Sequence, residues 1–170
     1  MGGAQGARDN SWMTVDINID PSLGLKQAIL MELLEIWRGQ CNGEVMPPWP
    51  DFDVLQIPAA MLPRLYLIDG LENNPPRPRW RLLGTHTTEV LERDNTGKYF
   101  DEIYSPKDTQ DMSVPVLWVR EQKAPLRLDG QTQFADKDWI HYECIYLPYA
   151  GESGDVAMVL GGIVYENGPI

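Results

Sequence analysis

Between Ser22 and Arg38 the apolar positions keep helical spacing. Leu25, Ile29, Leu33, Ile36 and Trp37 share a face, and Leu30 and Leu34 widen it. Asp20-Pro21-Ser22 supplies a start signal and Gly39 a stop, so the pattern predicts a helix over 22–38. The stripe is broad, and a broad stripe needs a large surface to cover. Five prolines (Pro47, Pro48, Pro50, Pro58, Pro63) then exclude long regular structure, leaving room for a helical turn near Asp51–Leu55. Beyond them the period changes. Arg64–Asp69 is an apolar run of strand length, and a turn region rich in Asn and Pro separates it from a second strand, Arg79–Leu83, as in a hairpin. Thr85–Arg93 and Gly97–Tyr104 read as short helices, the second with Tyr99, Phe100, Ile103 and Tyr104 on one face. Ser105-Pro106 reads as an N-cap followed by a first-turn proline, opening a helix to about Lys123 that Pro115 should kink or split. The last third predicts strands at Leu126–Asp129, Trp139–Leu147 and Val156–Tyr165.

Polarity orders these strands. Arg64–Asp69 and Val156–Tyr165 are nearly continuous apolar runs, as in strands covered on both faces. Arg79–Leu83 and Leu126–Asp129 alternate with charges, as edge strands do. Along Trp139–Leu147, Ile140, Tyr142, Cys144 and Tyr146 fall on one face, with His141, Glu143 and Ile145 on the other. The expectation is an α+β fold: an antiparallel sheet with its first and last strands in the middle and short helices on one face. The N-terminal helix, or a partner subunit, should cover the centre of the other.

Composition narrows the function. A chain of 170 residues is one domain with an N-terminal extension, and 43% hydrophobic with 23% charged residues is ordinary for a globular chain. Residues 1–20 are expected as a flexible tail, 21–48 as the helix and its linker, and 49–170 as the main domain. The net charge of −11 argues against nucleic acid and against anionic membrane surfaces as partners. No apolar run is long enough to span a membrane, and MGGAQGARDN lacks a signal-peptide core. Gly2 is not followed by the Ser or Thr at position 6 that myristoylation wants. Cys41 and Cys144 stand far apart with no C-x-x-C, which suits a reducing, cytoplasmic setting.

The order of local motifs resembles a bacterial PAS-like domain family of short or stand-alone proteins. The residues that carry the likeness are Trp49-Pro50-Asp51-Phe52-Asp53, Met61-Leu62-Pro63-Arg64 and Arg79-x-Arg81-Leu82-x-Gly84-Thr85. They continue with Asp94-x-Thr96-Gly97-Lys98, Leu147-Pro148 and Leu160-Gly161, so the likeness runs over 49–165. It implies a five-stranded antiparallel sheet in the order 2-1-5-4-3, in agreement with the order read from polarity. It also implies a sensing or protein-interaction role. A chain of this length leaves no room for an output domain, so signalling would pass through a separate protein or through dimerisation by the N-terminal helix.

Candidate chemistry is sparse. Ligand contacts are expected among Trp80, His86, Tyr142, Cys144, Tyr146 and Arg81, with no catalytic or metal-binding residue assigned and the cofactor left open. His86 follows Gly84-Thr85 at a position that borders the PAS pocket. It reads either as a ligand or haem-iron contact or as a solvated helix-end histidine. The stripe Ile140–Tyr142–Cys144–Tyr146 reads as a pocket wall or as core. Arg77, Arg79 and Arg81, with Arg64 across the hairpin, could fork a carboxylate ligand or pair with surface acids. The alternatives to a sensor are a purely structural dimerisation domain and a small cone-shaped α+β enzyme of ketosteroid-isomerase type. The enzyme would need a buried carboxylate such as Asp69 or Glu143 facing aromatic donors.

Overall fold

A computed structural model describes residues 13–134 and 138–166. The strands are β1 (Met13–Asp20), β2 (Leu65–Asp69), β3 (Arg79–Leu83), β4 (Leu126–Phe134), β5 (Ile140–Ala150) and β6 (Val156–Glu166). They form one antiparallel sheet in the order β1-β4-β5-β6-β2-β3. Read from the β3 edge, the last five strands follow 2-1-5-4-3, with β2 beside β6 in the middle. Leu65, Val159 and Leu160 are buried there, while Leu67 is only partly so.

The sixth strand is the main departure from expectation. Residues 13–20, expected within a tail, alternate Val15, Ile17 and Ile19 with Asp16, Asn18 and Asp20, and this period of two suits a half-buried strand. They pair with β4 along all eight positions. Leu126–Asp129 is therefore internal rather than an edge, which is why Leu126 and Leu128 are buried. Residues 1–12 of the expected tail lie outside the described residues.

Helices cover both faces of the sheet. One face carries α1 (Ala28–Cys41), seated on β5 and β6 through Leu30, Leu33, Leu34 and Trp37. Gly162 permits the approach: a Cβ there would lie 2.8 Å from Leu33 Cδ2 and 3.1 Å from Leu30 Cδ2. The Trp37 indole donates to Pro148 O at 2.8 Å, satisfying a donor the packing buries. The helix begins six residues later than its start signal. Asp20 spends its carboxylate on Ser22 N and Gly24 N, holding a loop in which Leu23 takes φ 58°. The helix start is met instead by Glu143 of β5, which accepts from Lys26 N at 3.1 Å and Gln27 N at 2.9 Å. With most of the stripe spent on the chain's own sheet, Met31 is the one large apolar side chain of α1 among the exposed ones.

The opposite face carries α2 (Thr85–Leu91), α3 (Phe100–Ile103) and α4 (Pro106–Gln122). Ser105 caps α4, accepting from Asp108 N at 3.1 Å. The helix runs unbroken through Pro115, whose ring is buried with Val116 and Val119. The proline-rich stretch folds as three short 3-10 turns at Trp49–Asp51, Val54–Gln56 and Ala59–Arg64.

Candidate functional site: a tyrosine-walled cavity between sheet and helices

The strand alternation that sends Glu143 toward α1 sends Tyr142 and Tyr146 toward α2 and α4. There the two layers do not close completely, and a cavity of about 80 Å³ remains. Val15, Ile17, Leu128 and Ile163 supply its floor from the sheet, and Thr87, Leu91, Asn95 and Met112 its roof. Five tyrosines, Tyr66, Tyr104, Tyr142, Tyr146 and Tyr165, complete the wall, and among the described residues no charged side chain lines it.

Most of the hydroxyls are already committed. Tyr66 lies flat over Gly161, where a Cβ would fall 2.0 Å from its ring, and donates to Ile145 O at 3.2 Å. Tyr142 crosses Gly130 and donates to Asp16 O at 2.9 Å. Tyr104 accepts from Trp80 Nε1 at 3.1 Å. Burial pushes Tyr66, Tyr142, Tyr146 and Tyr165 well above the usual phenol range, so these groups stay neutral. The buried Thr87 hydroxyl is not among the committed ones. Its Oγ1 is buried beside the Tyr165 hydroxyl without a partner in hydrogen-bond geometry. Thr87 itself is 5% exposed.

The expected contact residues divide. Trp80, Tyr142 and Tyr146 line the cavity. Cys144 shares their face but is buried beside the Tyr66 hydroxyl, outside the wall; burial pushes its thiol up to about 12, which keeps it protonated and unreactive. His86 is neither a wall residue nor a solvated helix end. It is 9% exposed, with its ring centroid 5.7 Å from that of Tyr165. Burial lowers its pKa, Arg64 lowers it further and Glu89 opposes. Arg81 is exposed and sits 3.6 Å from Asp69, away from the cavity. Its neighbours are also paired: Arg79 with Asp69 at 2.7 and 2.8 Å, and Arg77 with Asp101 through two bonds of 2.8 Å. Arg77, Arg79 and Arg81 thus hold acids of their own chain, as the surface-pairing reading expected, whereas the buried Nη1 of Arg64 has no hydrogen-bond partner among the described residues.

A second polar centre lies on the α1 face. Arg127 and Glu143, each 6% exposed at the side chain, pair at 2.8 Å, and Arg127 also meets Asp20 and Asp129 at 3.3 Å. The cluster joins the end of β1, the start of α1 and the middle of β4 and β5. Three carboxylates share its one guanidinium, so the cluster ties these elements together mechanically. Among the described residues, no group of three or more His, Cys, Asp or Glu side chains could hold a metal ion. No described helix is long and apolar enough to cross a membrane.

A family model for the PAS domain matches residues 25–164. The chain belongs to the PAS domain family. The match takes in α1 as well as the five strands from β2 to β6, while β1 lies outside it. No curated protein matches the chain. No solved structure does either. The PAS motifs noticed in the sequence are architectural. Trp49 stacks on Phe52 at 4.8 Å, and both meet the Tyr149 ring edge-on. Asp53 Oδ1 accepts from Leu55 N. Gly84 passes so close to β2 that a Cβ would lie 2.3 Å from Pro63 O. Asp94 Oδ1 accepts from Thr96 N, and the following Gly97 takes φ 84°.

Proposed function

We propose that this PAS domain is a sensory or interaction module without catalysis of its own, which admits a small uncharged molecule to the tyrosine-walled cavity and passes the change to a partner protein. Thr87 carries the reading. An unpaired buried hydroxyl costs about 1–3 kcal/mol, and a ligand that bonds to it recovers that penalty. The molecule is uncharged because burying an ion against rings and aliphatic side chains, without a counter-charge, is prohibitive. It is compact because the cavity, about 80 Å³, is far below the roughly 300–1,000 Å³ of drug-sized sites. The isomerase-type alternative is less well supported. Its two candidate carboxylates, Asp69 and Glu143, are bound to arginines, and neither lines the cavity. Two free, buried cysteines fit a cytoplasmic setting. The acidic surface, with Arg77, Arg79 and Arg81 already paired, favours a protein partner over nucleic acid or membrane.

A thermal-shift screen of small neutral molecules, phenols and indoles included, tests this. The expected result is a stabilising compound whose effect weakens in Thr87→Val, which removes the hydroxyl at nearly constant volume, and disappears in Leu128→Phe, which fills the space. Compounds that stabilise both folded variants as well as the wild type, or a screen without any stabilising compound, would overturn the reading.

A further inference from the structure

The two edges of the sheet are finished differently. The outer side of β3 is closed by the chain itself: Trp80 N donates to Lys98 O at 3.0 Å, Gly97 N to Trp80 O at 2.6 Å, and Phe100 N to Pro78 O at 2.9 Å. At the other edge, β1 pairs with β4 over eight residues without a register shift. Among the described residues no backbone hydrogen bond reaches the outer side of 13–19. Of the usual protections of an open edge, β1 has no proline, no lysine or arginine and no bulge; its charges are those of Asp16 and Asp20. Asp16 O turns toward β4, where it meets the Tyr142 hydroxyl. By the alternation of an antiparallel ladder, the N–H and C=O groups of Val15, Ile17 and Ile19 then point outward.

We propose that β1 is a self-association edge, through which two copies of this chain pair antiparallel about a two-fold axis at Ile17. Side-chain complementarity selects both the occupant and the register. A two-fold at Asp16 would set Asp16 against its own copy, and one at Asn18 would set Asp16 against Asp20; like charges directly opposite repel. The axis at Ile17 avoids both and pairs 14–20 with their copies, whereas axes at Val15 or Ile19, which also avoid like charges, pair only 13–17 or 18–20 of the strand. It places Asp16 opposite Asn18, a carboxylate against an amide, twice over, and Val15 opposite Ile19, apolar against apolar. The outward groups of Val15, Ile17 and Ile19 all find partners, and the contact is isologous, the commonest kind. The pairing also touches the cavity, since Val15 and Ile17 form part of its floor. A change there is one strand away from the second subunit.

Sedimentation equilibrium and register-specific cross-linking of the full chain test the proposal. The wild type should contain a species of twice 19.3 kDa that dissociates on dilution. Asp16→Cys and Asn18→Cys proteins, mixed under mild oxidation, should form the mixed disulfide in preference to either homodimer, because only the Ile17 register brings these two positions together. A single 19.3 kDa species at every concentration would overturn it. So would a dimer in which the Asp16→Cys or Asn18→Cys homodisulfide dominates, or in which no disulfide forms while the dimer persists.

Discussion

His86 and Thr87 are adjacent, yet only Thr87 faces the cavity. One residue along an α-helix is a turn of about 100°, so neighbours on so short a helix look in different directions. The inner stripe of α2 was present in the sequence as Thr87, Val90 and Leu91, at i, i+3 and i+4, but the histidine drew attention because its chemistry is louder. Tyr142 and Tyr146 were legible because strand alternation leaves a side chain two choices, and the apolar company of Ile140 picks one. Cys144 follows the same alternation but is covered beside Tyr66, a cross-strand packing detail that no single-strand pattern contains. His86 has its own consequence. Burial and Arg64 hold its pKa below the ordinary 6.5, so the unfolded chain binds the proton more readily and stability falls with acidity. The loss should begin as pH drops through 6.5 and continue through the lowered folded value. It lies above the window of Asp20, Asp94 and Asp101, whose pKa values sit below 3.8. Melting curves from pH 7.5 down to 5 should therefore show a shallower slope in His86→Gln than in the wild type; equal slopes would assign the effect elsewhere.

At the scale of elements, the strands that bury both faces announced themselves. β2 and β6 read as central from polarity alone, and the order of the five PAS strands followed. What stayed hidden depended on distant residues. The polar face of β4 looked like an edge because its partner, β1, sits more than a hundred residues earlier and reads as a short alternating segment after a Gly-rich stretch. Asp20-Pro21-Ser22 looked like a helix start, but the acceptor for the first turn of α1 comes from Glu143. That places one carboxylate at both the helix terminus and the Arg127 ion pair. Glu143→Ala leaves Lys26 N and Gln27 N without their acceptor and Arg127 with only Asp20 and Asp129, and should therefore cost about 1–3 kcal/mol, the range for leaving a buried polar group unsatisfied. Glu143→Gln keeps an acceptor for Gln27 N and should cost less. Urea denaturation of the two variants checks this. A loss below about 1 kcal/mol for the alanine variant, typical of an exposed pair, would remove the joint from the account.

For the whole molecule, the fold places one helical layer on each side of a single sheet. The α1 side is tightly joined by charge, and the α2–α4 side is loosely closed around tyrosines. The side left incompletely packed is where the proposed function admits a small molecule. Family membership alone does not identify that side, because the PAS motifs in this chain hold turns and strand edges together. The central claim is that the signal enters at Thr87 and the tyrosine wall. Two-dimensional methyl NMR of the protein titrated with a compound from the neutral-molecule screen tests it most directly. The account predicts shifts concentrated at Val15, Ile17, Thr87, Leu91 and Leu128, with Val45 and Leu55 on the surface unmoved. Shifts clustered instead on the α1 side, at Ile36, or at Val45 and Leu55, would contradict it.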